Sequence, residues 1–154
     1  MRNRLVVVLM VLAFAVVSAV TATAQQTDKL KVGFVYVSHA SDMGWSWAHD
    51  QGRLYLEEAL GDRVETSYVE AVPEGSDAER VFEELARTGH DLIFGTSFGY
   101  MDPMLRVARR YPDTIFMHAT GVRTAPNLGI YFGRVEQARY LSGIVAGLQS
   151  ETNV

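Results

Sequence analysis

The chain has 154 residues, 48% of them hydrophobic and 21% charged, with no cysteine and a formal charge of −4. The lack of cysteine excludes disulfides, thiol catalysis, Cys-ligated metal sites and the cysteine that anchors bacterial lipoproteins. The acidic balance argues against a nucleic-acid partner, which selects a basic face, and supplies no polybasic patch for a membrane surface.

Residues 1–24 read as a secretory signal. Arg2 and Arg4 precede an apolar run from Leu5 to Val17, and Ala22-Thr23-Ala24 offers a small-x-small cleavage site. The run is too short to span a bilayer comfortably. Cleavage before Gln25 leaves 12 basic against 18 acidic residues, a formal charge of −6. The expected product is a soluble periplasmic protein of about 130 residues, enough for one core of moderate size.

Apolar runs then alternate with helical patterns, which predicts βαβ units and a parallel sheet. The first strand covers Lys31 to Val37, and a helix follows from about Ser46 to Leu60, with Trp47, Leu54, Tyr55 and Ala59 broadly on one side. Gly61 is a natural stop, and Val64 to Val69 alternates as a strand. Ser76 and Glu79 have capping-box spacing, and Ala78, Val81, Phe82, Leu85 and Ala86 form a 3.6-residue core stripe. Leu92-Ile93-Phe94 is a short buried strand. Asp102-Pro103 reads as a helix start, carried by Met104, Leu105, Val107 and Ala108 to Tyr111. Thr114 to Ala119 is the fourth strand, and Leu128 to Phe132 is a short extended piece. The last helix, Val135 to Leu148, is apolar enough to predict burial against another surface.

Ligands of open α/β sheets bind beyond the carboxyl ends of the strands. The loop after the first strand holds Asp42, Trp45, Trp47, His39 and His49, including both tryptophans of the chain. Indole faces beside a carboxylate suit a flat, nitrogen-rich ligand: the ring stacks and the carboxylate accepts N–H bonds. The bland reading makes one Trp a core residue and Asp42 a helix cap. The loop after the third strand adds Ser97, Phe98, Gly99, Tyr100 and Asp102 on the same edge, with Asp102 open to the same capping alternative. Gly95-Thr96-Ser97-Phe98-Gly99 also matches the G-x-S-x-G elbow of hydrolases. Against that, Pro103 starts the helix too late and the only downstream histidine, His118, sits in a strand. His39, Asp42, His49 and Asp50 fit no standard metal-ligand spacing, and no cofactor motif is present.

Several stretches together resemble the basic membrane protein (BMP) family of solute-binding proteins for ABC importers, to which the purine nucleoside receptor belongs. They are Asp42-Met43-Gly44-Trp45 with His49-Asp50-Gln51-Gly52, Val72 to Arg80, Thr96 to Pro103, Tyr111-Pro112-Asp113, His118 to Gly121, and Arg139 to Gly143 with Ala146-Gly147. The resemblance implies a two-lobed, type I periplasmic binding protein, each lobe a Rossmann-like parallel sheet, that captures a purine base or nucleoside without chemistry. It matches Asp42 to an acidic residue of the first loop, Trp45 to a stacking aromatic and Asp102 to the acid heading the third helix, with Phe98 and Trp47 as weaker additions. The implied partner is an ABC permease in the inner membrane, and a monomer is expected. The chain departs from the family at Ala119-Thr120, where many members carry Ile-Asp, and in length, since members are about twice as long. Residues 25–154 are therefore expected to be an N-terminal lobe with the second lobe absent. The rivals from other classes are an exported serine hydrolase using Ser97 and a ligand sensor feeding a membrane receptor.

Overall fold

The structure, a computed structural model, describes residues 29–152; the expected signal segment lies outside them. Five strands, β1 (Leu30–Val35), β2 (Val64–Val69), β3 (Leu92–Gly95), β4 (Ile115–Ala119) and β5 (Leu128–Tyr131), form one sheet in the order β2-β1-β3-β4-β5. Every pairing is parallel. Parallel neighbours require crossovers; the helices α1 (Trp45–Leu60), α2 (Ser76–Arg87) and α3 (Met101–Arg110) supply those from β1 to β4, and the helix-free loop 120–127 joins β4 to β5. A final helix, α4 (Val135–Gln149), follows β5. The α/β class expected from the alternating pattern is what the chain adopts.

On one face, Val35, Ile93, Phe116 and Leu128 of the sheet bury against Ala78, Phe82, Leu85 and Ala86 of α2 and Met104, Val107 and Ala108 of α3. This is the expected stripe, with Val81 at its margin. Packing is tight at Gly95, where a Cβ would lie 2.9 Å from the Phe82 ring tip and overlap the Met104 sulfur. Glycine is needed there for close approach.

The opposite face carries an aromatic row. Phe34 stacks on Phe94 with centroids 4.9 Å apart, Phe94 meets Tyr131 edge-on at 5.9 Å, and Tyr36 lies 5.7 Å from Tyr68. Here α1 departs from the sequence expectation. Its buried residues are Ser46 and Arg53, while Leu54 and Tyr55 point to water. The Arg53 guanidinium bonds Asp50 at 2.6 Å, Glu57 at 3.0 Å and Thr66 at 3.1 Å, and lies 4.9 Å over the Tyr68 ring. The Tyr36 hydroxyl donates to Asp50 at 3.2 Å. Asp50, Arg53 and Glu57 share one helix face by their spacing, so the network decides which side of α1 turns inward.

Two expected caps do not form. The N-cap of α2 is Gly75, at φ +94° with no side-chain bond. Glu79, freed from a capping box, takes Arg106 at 2.7 Å and Arg110 at 3.1 Å from α3. The start of α3 also moves: a 3₁₀ turn over Phe98–Tyr100 runs straight into Met101, leaving Asp102 inside the helix without a capping bond. Finally, α4 buries none of its residues; Tyr140 is 71% and Leu148 79% exposed. Within the described residues its expected burial is not met.

Candidate functional site

The strand order reverses direction between β1 and β3, and at such a switch point the loops diverge and leave a crevice beyond the carboxyl ends. The loops after β1 and β3 are the two that the sequence marked, and the fold brings them side by side.

Asp42 organises the first loop. Its Oδ1 accepts the amides of Gly44 at 2.7 Å and Trp47 at 3.1 Å. Its Oδ2 accepts the Ser38 hydroxyl at 2.6 Å and, at 3.4 Å, the Ser46 amide. A carboxylate has about four acceptor positions, so in this structure all are engaged, three of them by the positive end of α1. The Ser38 hydroxyl, then the Gly44 and Trp47 amides, hold the carboxyl down at about 2. Met43, at φ +55°, makes the reversal that swings Asp42 under the helix start. The capping geometry is thus present, and Asp42 reaches a ligand only by exchanging one of these donors.

Trp45 is the first residue of α1. Its indole Nε1–H donates to the Thr96 carbonyl. Thr96 is itself fixed to the Val35 carbonyl by its amide at 3.1 Å and its hydroxyl at 2.9 Å. The ring is therefore pinned across the switch point. His49 leans on it at 4.6 Å, and 40% of Trp45 stays exposed. Trp47 is 37% exposed. Two positions along a helix turn it about 200° from Trp45, so the two indoles cannot present one continuous platform.

On the second loop, Phe98 is 59% exposed in the short turn. Asp102 pairs with Arg123 from the β4–β5 connection; the side chains are 58% and 56% exposed. The Ser97 hydroxyl donates to Glu74 at 2.5 Å. Its carbonyl accepts His118 Nε2–H at 2.7 Å, leaving no imidazole on the hydroxyl. The hydrolase rival is not assembled in this geometry, because the one histidine near Ser97 holds its carbonyl and does not reach the hydroxyl it would have to activate.

Sequence reading passed over His118, Glu74 and Arg123 as site residues. His118 is fully buried, and burial lowers its pKa and keeps the ring neutral. Among the described residues its Nδ1 has no partner, and it abuts Gly121, where a Cβ would overlap it. Beside it Thr120 sits at φ +66°, its buried hydroxyl also without a partner among the described residues. A β-branched residue in the left-handed region is strained. The residues weighed as a metal set are occupied elsewhere: His39 bonds Glu70 at 3.1 Å, His49 rests on Trp45, and Asp50 belongs to Arg53.

The Bmp model, described as ABC transporter substrate-binding protein PnrA-like, matches residues 29–154. A purine-binding protein of Brucella abortus is 50% identical over 131 residues, covering 85% of this chain and 37% of the relative. A Haloferax volcanii protein, named as an ABC transporter glucose-binding protein, is 52% identical over 126 residues, covering 82% and 32%. Among solved structures, an ABC transporter solute-binding protein from Conexibacter woesei superposes with a TM-score of 0.65 at 25% identity, over 77% of this chain and 40% of that one. A transcriptional activator of the comK gene from Bacillus halodurans gives a TM-score of 0.60 at 28% identity, over 79% and 41%. The chain spans about a third of the length of the curated relatives it matches, less than the half expected from the sequence. The match over nearly every described residue, together with the parallel sheet and its neighbours, makes this chain a member of the Bmp family of PnrA-like ABC transporter substrate-binding proteins.

Proposed function

We propose that the protein is the periplasmic ligand-capturing component of an ABC importer, exported by residues 1–24, and that it takes a purine base or nucleoside without transforming it. Residues 25–154 would be the N-terminal lobe. The exposed apolar side of α4 is accounted for if that helix packs against the remainder of a longer chain. The carrying observation is Trp45: an indole pinned by its N–H across the switch point while two-fifths of its surface stays open. A fixed, partly exposed ring stacks on a planar heterocycle at little cost in side-chain entropy.

In this reading Phe98 supplies a second apolar surface from the adjoining loop, and Trp47 widens the apolar rim. Asp102 accepts a ligand N–H or hydroxyl in exchange for its exposed Arg123 partner. Asp42 contributes by trading the Ser38 hydroxyl for a ligand donor. The name of the Brucella relative supports a purine. The name of the Haloferax relative supports glucose, whose C–H faces also pack on aromatic rings, and this is the second reading. In the full-length protein, closure of the lobes by a hinge would present the loaded form to a membrane permease.

Titration calorimetry of the full-length protein against adenine, adenosine and glucose separates the two. The expectation is heat with a purine and none with glucose. Trp45→Ala should weaken purine binding at least tenfold, about 1.4 kcal/mol. Unchanged affinity in that variant removes the stacking claim.

A further inference from the structure

Glu74 lies in the loop after β2, outside the residues discussed above as ligand contacts. Its Oε1 receives the Ser97 hydroxyl at 2.5 Å and the Gly99 amide at 3.1 Å. It thus holds the residues on both sides of Phe98. Gly99 is a condition of this contact, because a Cβ there would overlap the Glu74 carboxyl group. The backbone at Gly99 is not left-handed, so glycine serves close approach at this position and not a turn.

The same turn is fastened in two other ways. The buried Tyr100 hydroxyl donates to the Val72 carbonyl at 2.6 Å, and His118 holds the Ser97 carbonyl. Those two bonds are shielded, whereas Glu74 is exposed. Water can replace its partners at small net cost. The Glu74 bridge therefore adds little to global stability. Its effect falls on how the 97–99 turn, and with it Phe98, is set at the rim.

We propose that Glu74 is a positioning residue for the ligand edge: it draws the β3–α3 turn toward the β2 loop and so fixes the attitude of Phe98. This rests on the reading of that edge as the ligand site and deepens it. A binding group held loosely by about 1 Å forfeits much of its contribution, so the bridge should be felt in affinity before it is felt in melting.

The test uses the full-length protein with Glu74→Ala, Glu74→Gln, Gly99→Ala and the Glu74→Ala/Gly99→Ala pair. Without ligand, Glu74→Ala should speed amide exchange at Gly99 about two- to threefold, the small net cost of trading an exposed protein acceptor for water, with the unfolding midpoint nearly unmoved. Glu74→Gln, which keeps an acceptor oxygen, should restore most of the protection. Gly99→Ala should shift the Phe98 ring resonances in the parent protein and not in Glu74→Ala, where the obstructing carboxylate is gone. With adenine as the probe and glucose as the second, Glu74→Ala should weaken whichever binds by about tenfold, and Glu74→Gln by much less. Unchanged exchange, or a Gly99→Ala effect that persists in Glu74→Ala, overturns the contact. Faster exchange with unaltered affinity overturns the positioning role alone. A parent protein that binds neither probe overturns the ligand reading and this proposal together.

Discussion

Against one face of the sheet, α2 and α3 press Phe82, Leu85, Met104 and Val107 into an unbroken apolar layer. Against the other, α1 presses Arg53 and Ser46, and the contact is a set of directional bonds to Asp50, Glu57, Thr66 and Tyr36 around an aromatic row. Apolar packing is strong but has many near-equivalent solutions, whereas a hydrogen-bonded charge network tolerates few. The contrast has a positional meaning. The helix that carries Trp45 is registered by the directional face, and its first turn is tied down again by Asp42 and by the Ser38–Ser46 hydroxyl pair at 2.7 Å. The apolar face supplies cohesion; the polar face supplies placement.

That division can be broken one face at a time. The largest loss is expected for Phe82→Ala, about 3–5 kcal/mol for a fully buried aromatic, read by urea unfolding, with the fluorescence of folded Trp45 unaltered. Arg53→Ala comes next. It strands Asp50, whose side chain is only 13% exposed, and should cost about 2–3 kcal/mol. Unlike Phe82→Ala, it should shift Trp45 emission in the folded state. If the Phe82 variant moved that emission and the Arg53 variant did not, the assignment of placement to the polar face would be wrong.

The smallest effect is expected for Asp42→Ala, and it sharpens the comparison through pH. The folded-state pKa of about 2 lies below the 3.8 of an unperturbed aspartate. The stability Asp42 contributes is thus fully present above about 3.8 and is lost as the pH falls toward 2. Thermal melts should separate parent and variant at neutral pH and converge across that acid interval. A constant gap throughout would show that the cap is not acting through its charge.

The strands and the α2 and α3 stripes were readable because one periodicity decides them. Phe82, Leu85 and Ala86 recur at helical spacing, and nothing outside the segment overrides that pattern. The inward side of α1 was not readable from its apolar residues. Arg53 is buried for partners on β2, 13 residues away in the case of Thr66, and a moment of hydrophobicity carries no record of them. A signal was available in the spacing of Asp50, Arg53 and Glu57, which places both acids beside one guanidinium. The two loops at the switch point were legible because strand ends are local features. The sequence did not reveal that Asp42 is saturated, that Arg123 covers Asp102, or that Glu74 and His118 clasp Ser97. Those pairings span 21 to 23 residues, apart from the Asp42 cap, and only the crossovers bring them together.

The last helix has a practical consequence. Tyr140, Leu141, Ile144, Val145 and Leu148 recur at intervals of three and four and line one uncovered side of α4. An apolar stripe of this kind is an adhesion and aggregation liability wherever it is left uncovered. Lysines in place of Leu141 and Val145 should reduce that tendency and leave the sheet and the switch-point loops in place, since α4 contains no buried residue.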